Sequence, residues 1–149
     1  MIRAATGADA GRVFAALCDL AAEMDDPFRS DLRQVSRALD SGAARAMLAD
    51  DGAAGVALWS PFLSTTRGAT GAYVSDLWVA GDQRGSGLGM RLLAAVRDAA
   101  AAEFGAVFLR LAVYDDNAAA RRFYDRLGFR PKPDEIWLTL EGPALEALA

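Results

Sequence analysis

The chain contains no histidine. That removes the side chain whose ordinary pKa lies nearest neutrality, so proton transfer must fall to carboxylates, tyrosine, cysteine or water. Ser-His-Asp machinery and His-based metal sites are excluded with it, and no metal is expected. Cysteine is almost missing: Cys18 stands alone, so no intrachain disulfide can form, as in a reducing cytoplasm. It lies in an Ala- and Leu-rich helical pattern and reads as a buried, inert thiol. Lysine occurs once, at Lys132, so the Gly-Lys-Ser/Thr signature of a P-loop is absent. No apolar run is long enough to span a bilayer and no signal-peptide core opens the chain, so a cytoplasmic protein without a membrane partner is expected. Acidic residues outnumber basic ones, 20 to 16, for a net charge of −4. A nucleic-acid partner, which needs a basic surface, is therefore disfavoured.

What is present is globular. The 149 residues are 53% hydrophobic and 24% charged, with no repeat or linker, and one domain over 1–149 is the economical reading. Residues 1–5 read as a short strand. Thr6 then caps a helix with Val13, Phe14, Leu17 and Leu20 at helical spacing. Residues 24–28 break it, and Ser30 starts a second helix that ends at Asp40-Ser41-Gly42. Residues 45–49 and 54–59 read as a hairpin around Asp50-Asp51-Gly52. Residues 64–71 read as flexible and 72–79 as a strand. Residues 87–104 read as a long helix buried along Leu88, Leu92 and Val96. The apolar run 106–113 suits a strand in mid-sheet. Asp116 or Asn117 caps a short helix ended by Gly128, and 136–140 alternates like a last strand. This order predicts a mixed α/β (α+β) fold, a largely antiparallel central sheet with helices on both faces.

Arg84-Gly85-Ser86-Gly87-Leu88-Gly89 lies between a predicted strand and a predicted helix. Glycines there let the backbone approach an anion, and the free N–H groups and dipole of the first helical turn favour negative charge. Arg84 adds a multi-donor cation suited to phosphate. The spacing is not the Gly-x-Gly-x-x-Gly of dinucleotide-binding folds. Taken alone, the loop indicates an anion at a helix start, or merely a tight turn.

Arg84, Gly87 and Gly89 match Gln/Arg-x-x-Gly-x-Gly/Ala. Downstream, Asn117-Ala-Ala-Ala-Arg-Arg-Phe-Tyr124 and Leu127-Gly128-Phe129 match Asn-x-x-Ala-x-x-Phe-Tyr-x-x-x-Gly-Phe. In these two ordered motifs the chain resembles the GCN5-related N-acetyltransferase (GNAT) superfamily, strongly over 72–130. The resemblance implies an acetyl-CoA-dependent N-acetyltransferase. Leu77, Trp78 and Val79 would offer backbone groups to the pantetheine arm from a strand splayed from its neighbour. Arg84, Gly85, Ser86, Gly87, Leu88, Gly89 and Met90 would hold the pyrophosphate. Asn117 would hydrogen-bond the cofactor, and Tyr124 would protonate the departing thiolate. A phenol keeps its proton at neutral pH, so Tyr124 is chemically suited to that role, although its spacing equally fits a core aromatic.

The amine must be neutral to attack. Without histidine, Asp76 is the candidate base, directly or through water that Ser75 orders; an ordinary paired strand carboxylate is the competing reading. Ser75-Asp76-Leu77-Trp78 and Asp134-Glu135-Ile136-Trp137 resemble the diamine and polyamine branch of the family, except that Ser75 stands where that branch carries a second acid. By this likeness Asp76, Glu135 and Trp137 would meet a small cationic amine. Asp25 and Asp26 would wall the substrate site or simply be solvated loop acids, and Phe28, Trp59 and Phe62 would supply apolar sides. A protein N-terminal or lysine acetyltransferase and a CoA-binding sensor are the alternatives. Pairing of two copies through Ile136-Trp137-Leu138 would give a homodimer.

Overall fold

The computed structural model describes residues 1–148, and the chain falls into two compact units, Met1–Ala112 and Val113–Ala149. The first unit carries a five-stranded sheet in the order β1-β2-β3-β4-β5. Its strands are β1 (Ile2–Ala4), β2 (Arg45–Ala49), β3 (Gly55–Ser64), β4 (Ala69–Val79) and β5 (Phe108–Leu111). Neighbours pair antiparallel except β4 with β5, which run parallel. Three helices complete the unit: α1 (Ala10–Met24), α2 (Leu32–Ser41) and α3 (Leu88–Phe104).

Local chemistry sets these boundaries. Asp31 and Gln34 form a reciprocal capping box at the start of α2, satisfying two otherwise unpaired N–H groups. Gly42 closes that helix in the left-handed region at φ 75°. Thr6 and Asp9 form a second capping box, on a 3₁₀ turn that leads into α1. Asp9 does more than favour the first turn. It is only 4% exposed and takes two bonds from the Arg3 guanidinium at 2.8 and 2.7 Å, which ties β1 to the start of α1.

The helices cover both faces of the sheet. Val56 and Leu58 of β3, Leu48 of β2 and Trp78 of β4 pack against Val13 and Leu17 of α1 and Val35 of α2. The next residue in β3, Trp59, faces the other way and meets Phe104 of α3 edge to face, with centroids 6.3 Å apart. The buried residues of α3 are Leu88, Leu92, Leu93, Val96 and Ala100, the stripe its spacing predicts.

Four expectations need correction. The hairpin of β3 and β4 is longer than expected and absorbs both ends of the segment taken as flexible, leaving a turn at 65–68. The run 106–113 forms only the half-buried β5, an edge strand among the described residues rather than a central one. Cys18 is half-buried rather than buried. Residues 136–140 form no strand, and Ile136, Trp137 and Leu138 are 82%, 75% and 86% exposed. Alternation supplies the side-chain pattern of a strand, but a strand exists only where its backbone groups find a partner.

The second unit contains α4 (Ala118–Arg126) and the short α5 (Pro143–Glu146). Asn117 caps α4, its side-chain oxygen accepting from Ala120 N–H at 3.1 Å. Gly128, at φ 94°, reverses the chain so that Phe129 N–H reaches the Tyr124 carbonyl at 3.0 Å. No helix among the described residues is long and apolar enough to cross a membrane, and none of them cluster as a metal site.

Candidate active site

Strand β4 positions the site in the first unit. It pairs with β5 only from Gly71 to Val74. From Ser75 to Val79 it has β3 on one side and no strand on the other among the described residues. β5 ends at Leu111, opposite Val74, which leaves that edge of Leu77, Trp78 and Val79 without a strand among the described residues. Trp78 can serve a ligand only through its backbone, because its ring lies in the core at 7% exposure and its indole N–H donates to Glu23 Oε1 at 3.2 Å.

The change of pairing coincides with a bulge. Leu58 opposes Asp76 and Trp59 opposes Val74, so Ser75 has no opposite residue. Ser75 Oγ reaches back to the Leu58 carbonyl at 3.4 Å. Asp76 thus shares the face of Leu58 and Trp78, beneath α1 and α2. It lines a cavity of about 350 Å³ with Leu17, Phe28, Val35, Leu39 and Leu58. Burial pushes its carboxyl above the ordinary carboxylate pKa, and a hydrogen bond from Ser75 offsets only part of that. Phe28 supplies the apolar side expected of it. Trp59 does not, because it faces α3, and Phe62 lies further along β3 against Phe108, with ring centroids 5.4 Å apart. Asp25 is the left-handed C-cap of α1 at φ 53°, and Asp26 N–H bonds the Ala21 carbonyl; neither lines this cavity.

Beyond β4 the chain makes one 3₁₀ turn and enters the glycine loop. Gly85 and Gly87 adopt φ 78° and 77°, where a side chain is strained, and a Cβ added at either would meet nothing within 4 Å. Conformation rather than crowding therefore selects glycine here. Gly87 is the N-cap of α3 without a capping side chain, and the first helical bond runs from Arg91 N–H to its carbonyl. The N–H groups of Leu88, Gly89 and Met90 precede that first bond, at the positive end of a 17-residue helix. This is a cradle for a phosphate-type anion. Ser86 braces it, its hydroxyl donating to the Gln83 carbonyl at 2.6 Å. Arg84 is committed elsewhere. Its Nε donates to the Val79 carbonyl at 3.0 Å and its Nη2 to Glu23 at the end of α1. Glu23 thus joins Trp78 and Arg84, a link that no local sequence pattern announces.

In the second unit, Tyr124 is half-buried between Phe123 and Phe129, with ring centroids 5.1 and 5.5 Å away. Burial raises its phenol above the ordinary value, so it is protonated throughout the neutral range. Glu135 pairs with Lys132 at 2.5 Å, and Trp137 is exposed.

In the first unit, a mixed sheet whose β4 runs on beyond its pairing with β5, followed by a helix that starts at a glycine loop, is the architecture of an acetyltransferase fold. The model of the acetyltransferase (GNAT) family matches residues 14–129, and the chain belongs to that family. Solved structures agree in fold. A ribosomal-protein-alanine N-acetyltransferase from Brucella melitensis biovar Abortus 2308 is 20% identical over 94% of this chain and 99% of its own, with a TM-score of 0.76. An aminoglycoside acetyltransferase from an uncultured soil metagenomic sample is 15% identical over 95% and 96%, with a TM-score of 0.78. A protein from Bacillus halodurans is 26% identical over 94% and 99%, with a TM-score of 0.70. No curated protein matches the chain in sequence.

Proposed function

We propose that this acetyltransferase moves the acetyl group of acetyl-CoA to the primary amine of a small cationic acceptor by direct attack, with residues 1–149 acting as one catalytic domain in the cytoplasm. The carrying observation is the placement of Asp76 and the glycine cradle on either side of the end of β4. One is a desolvated carboxylate in an apolar cavity, suited to an ammonium group; the other is suited to a diphosphate.

Bound acetyl-CoA supplies a thioester-activated acetyl group. The chain's own residues do the rest. Leu88, Gly89 and Met90 N–H groups hold the diphosphate, with Gly85, Ser86 and Gly87 shaping their approach. Backbone groups of Leu77 to Val79 on the edge away from β3 would hold the pantetheine arm, and Asn117 would add a hydrogen bond. Asp76 draws in the ammonium group and takes up a proton from it, directly or through water, leaving the nitrogen lone pair able to attack. Tyr124 holds a proton at its phenolic oxygen for the leaving sulfur. The likeness of Asp76, Glu135 and Trp137 to the diamine and polyamine branch supports a cationic acceptor. Self-association through Ile136, Trp137 and Leu138 belongs to the same proposal, supported by their exposure, and a monomeric mass by light scattering would remove it.

A thiol-release assay with acetyl-CoA and a panel of amines tests the reading. Acetyl-CoA-dependent release with small amines is expected. Calorimetric CoA binding without release for any amine would make the chain a binding module instead.

A further inference from the structure

The cavity beneath α1 and α2 has a lopsided lining. Leu17, Phe28, Val35, Leu39 and Leu58 are apolar, and Asp76 is its single charged group. No lysine or arginine pairs with Asp76 among the described residues. Gln34 also borders the cavity, but its side-chain oxygen is spent on Asp31 N–H in the capping box of α2. Ser30 is the remaining polar side chain. The volume, about 350 Å³, is at the small end of ligand cavities.

These features do not suit every amine equally. A desolvated carboxylate without a cation partner gains most from a ligand that brings one. A second positive charge on that ligand has no acid to meet and must be buried against Leu and Phe walls, where desolvation opposes it. A neutral ligand of the same shape fills the apolar space but leaves the carboxylate unpaired.

We propose that this cavity selects an acceptor with one ammonium group on a compact apolar body, and discriminates against diamines and polycations. This deepens the acetyl-transfer reading and rests on it for the role of the bound amine, but the selectivity belongs to the cavity itself. Asp76 takes the ammonium group, Phe28 and Leu39 enclose the carbon chain, and the absence of a second acid rejects a second charge. It departs from the polyamine-like pattern in the sequence, which calls for a second carboxylate: the lining carries Asp76 alone.

The test is calorimetric titration of the full chain with three probes of one length: hexylamine, 1,6-diaminohexane and hexan-1-ol. Hexylamine is expected to bind about tenfold more tightly than either of the others. Asp76→Asn, which keeps the volume and removes the charge, is expected to erase that advantage over the alcohol. Ala38→Asp, on the cavity wall contributed by α2, places a second acid there and is expected to shift preference toward the diamine. Diamine binding as tight as hexylamine binding in the native chain overturns the proposal, and so does the failure of hexylamine to bind. Neither depends on how the variants fold. Thiol release with the same amines reads the other question separately: tight hexylamine binding without turnover overturns the transfer reading and leaves the selectivity standing.

Discussion

In the proposed cofactor site, Gly87 would act through its backbone alone. At φ 77° a β-branched residue is strained by roughly 1–2 kcal/mol, and relief of that strain swings the first N–H groups of α3 off their common target. Gly87→Val should therefore raise the Kd for CoA about tenfold or more by calorimetry, while the open space around it spares the core. Tyr124→Phe should behave differently. It keeps the ring contacts with Phe123 and Phe129 and removes only the proton, so turnover should fall at least about tenfold with CoA affinity nearly unchanged. Unchanged turnover would end the general-acid role. Asp76 predicts a pH profile. Its folded pKa is raised, so the carboxylate form is lost at a higher pH than for an exposed aspartate. kcat/KM should fall as pH is lowered, with a midpoint above the ordinary value of about 4, and Asp76→Asn should abolish that limb along with most of the rate.

Between elements, two carboxylates add polar links to the apolar core. Asp9 joins β1 to α1 through Arg3, and these bonds hold its pKa far below the ordinary carboxylate range. A depressed folded pKa means that this stabilisation is complete above about pH 4 and disappears as pH falls toward the folded value. Asp9→Asn should cost about 2–3 kcal/mol at neutral pH by denaturant melts, with the gap to the parent chain narrowing in acid. Glu23 joins α1 to the end of β4 and to the glycine loop, through Trp78 and Arg84. Both links were invisible in the sequence for the same reason: their partners lie 6 residues apart for Arg3 and Asp9, and 55 and 61 for Glu23, with no shared periodicity. Arg84 shows the consequence. Its place in the glycine motif suggested a phosphate contact, yet two of its donors are bound within the protein.

Across the molecule, what was legible was local or periodic. The capping residues, the α3 stripe and the left-handed glycines each leave a mark within a few positions, and they gave the fold class and the anion cradle. Strand pairing leaves no such mark. Residues 136–140 alternate correctly and pair with nothing in sheet fashion, whereas Ser64 and residues 69–71, with weaker alternation, are strand because the β3–β4 hairpin extends to them. The cavity lining followed the same rule: Asp76 and Phe28 were foreseeable, but Trp59 was lost to the opposite face.

The bulge at Ser75 has an unusual standing as an insertion. Removing one residue from a strand ordinarily inverts every side chain beyond it. Here Leu58–Asp76 and Trp59–Val74 already flank the extra residue, so a chain lacking Ser75 could close the ladder with both faces intact. Asp76 would keep its place opposite Leu58 but lose the hydrogen bond from Ser75, and the core would keep its composition. The deletion would straighten β4 where it parts from β5. Ser75 is thus dispensable to the alternation of β4, and its hydroxyl serves the Leu58 carbonyl and the Asp76 carboxyl instead.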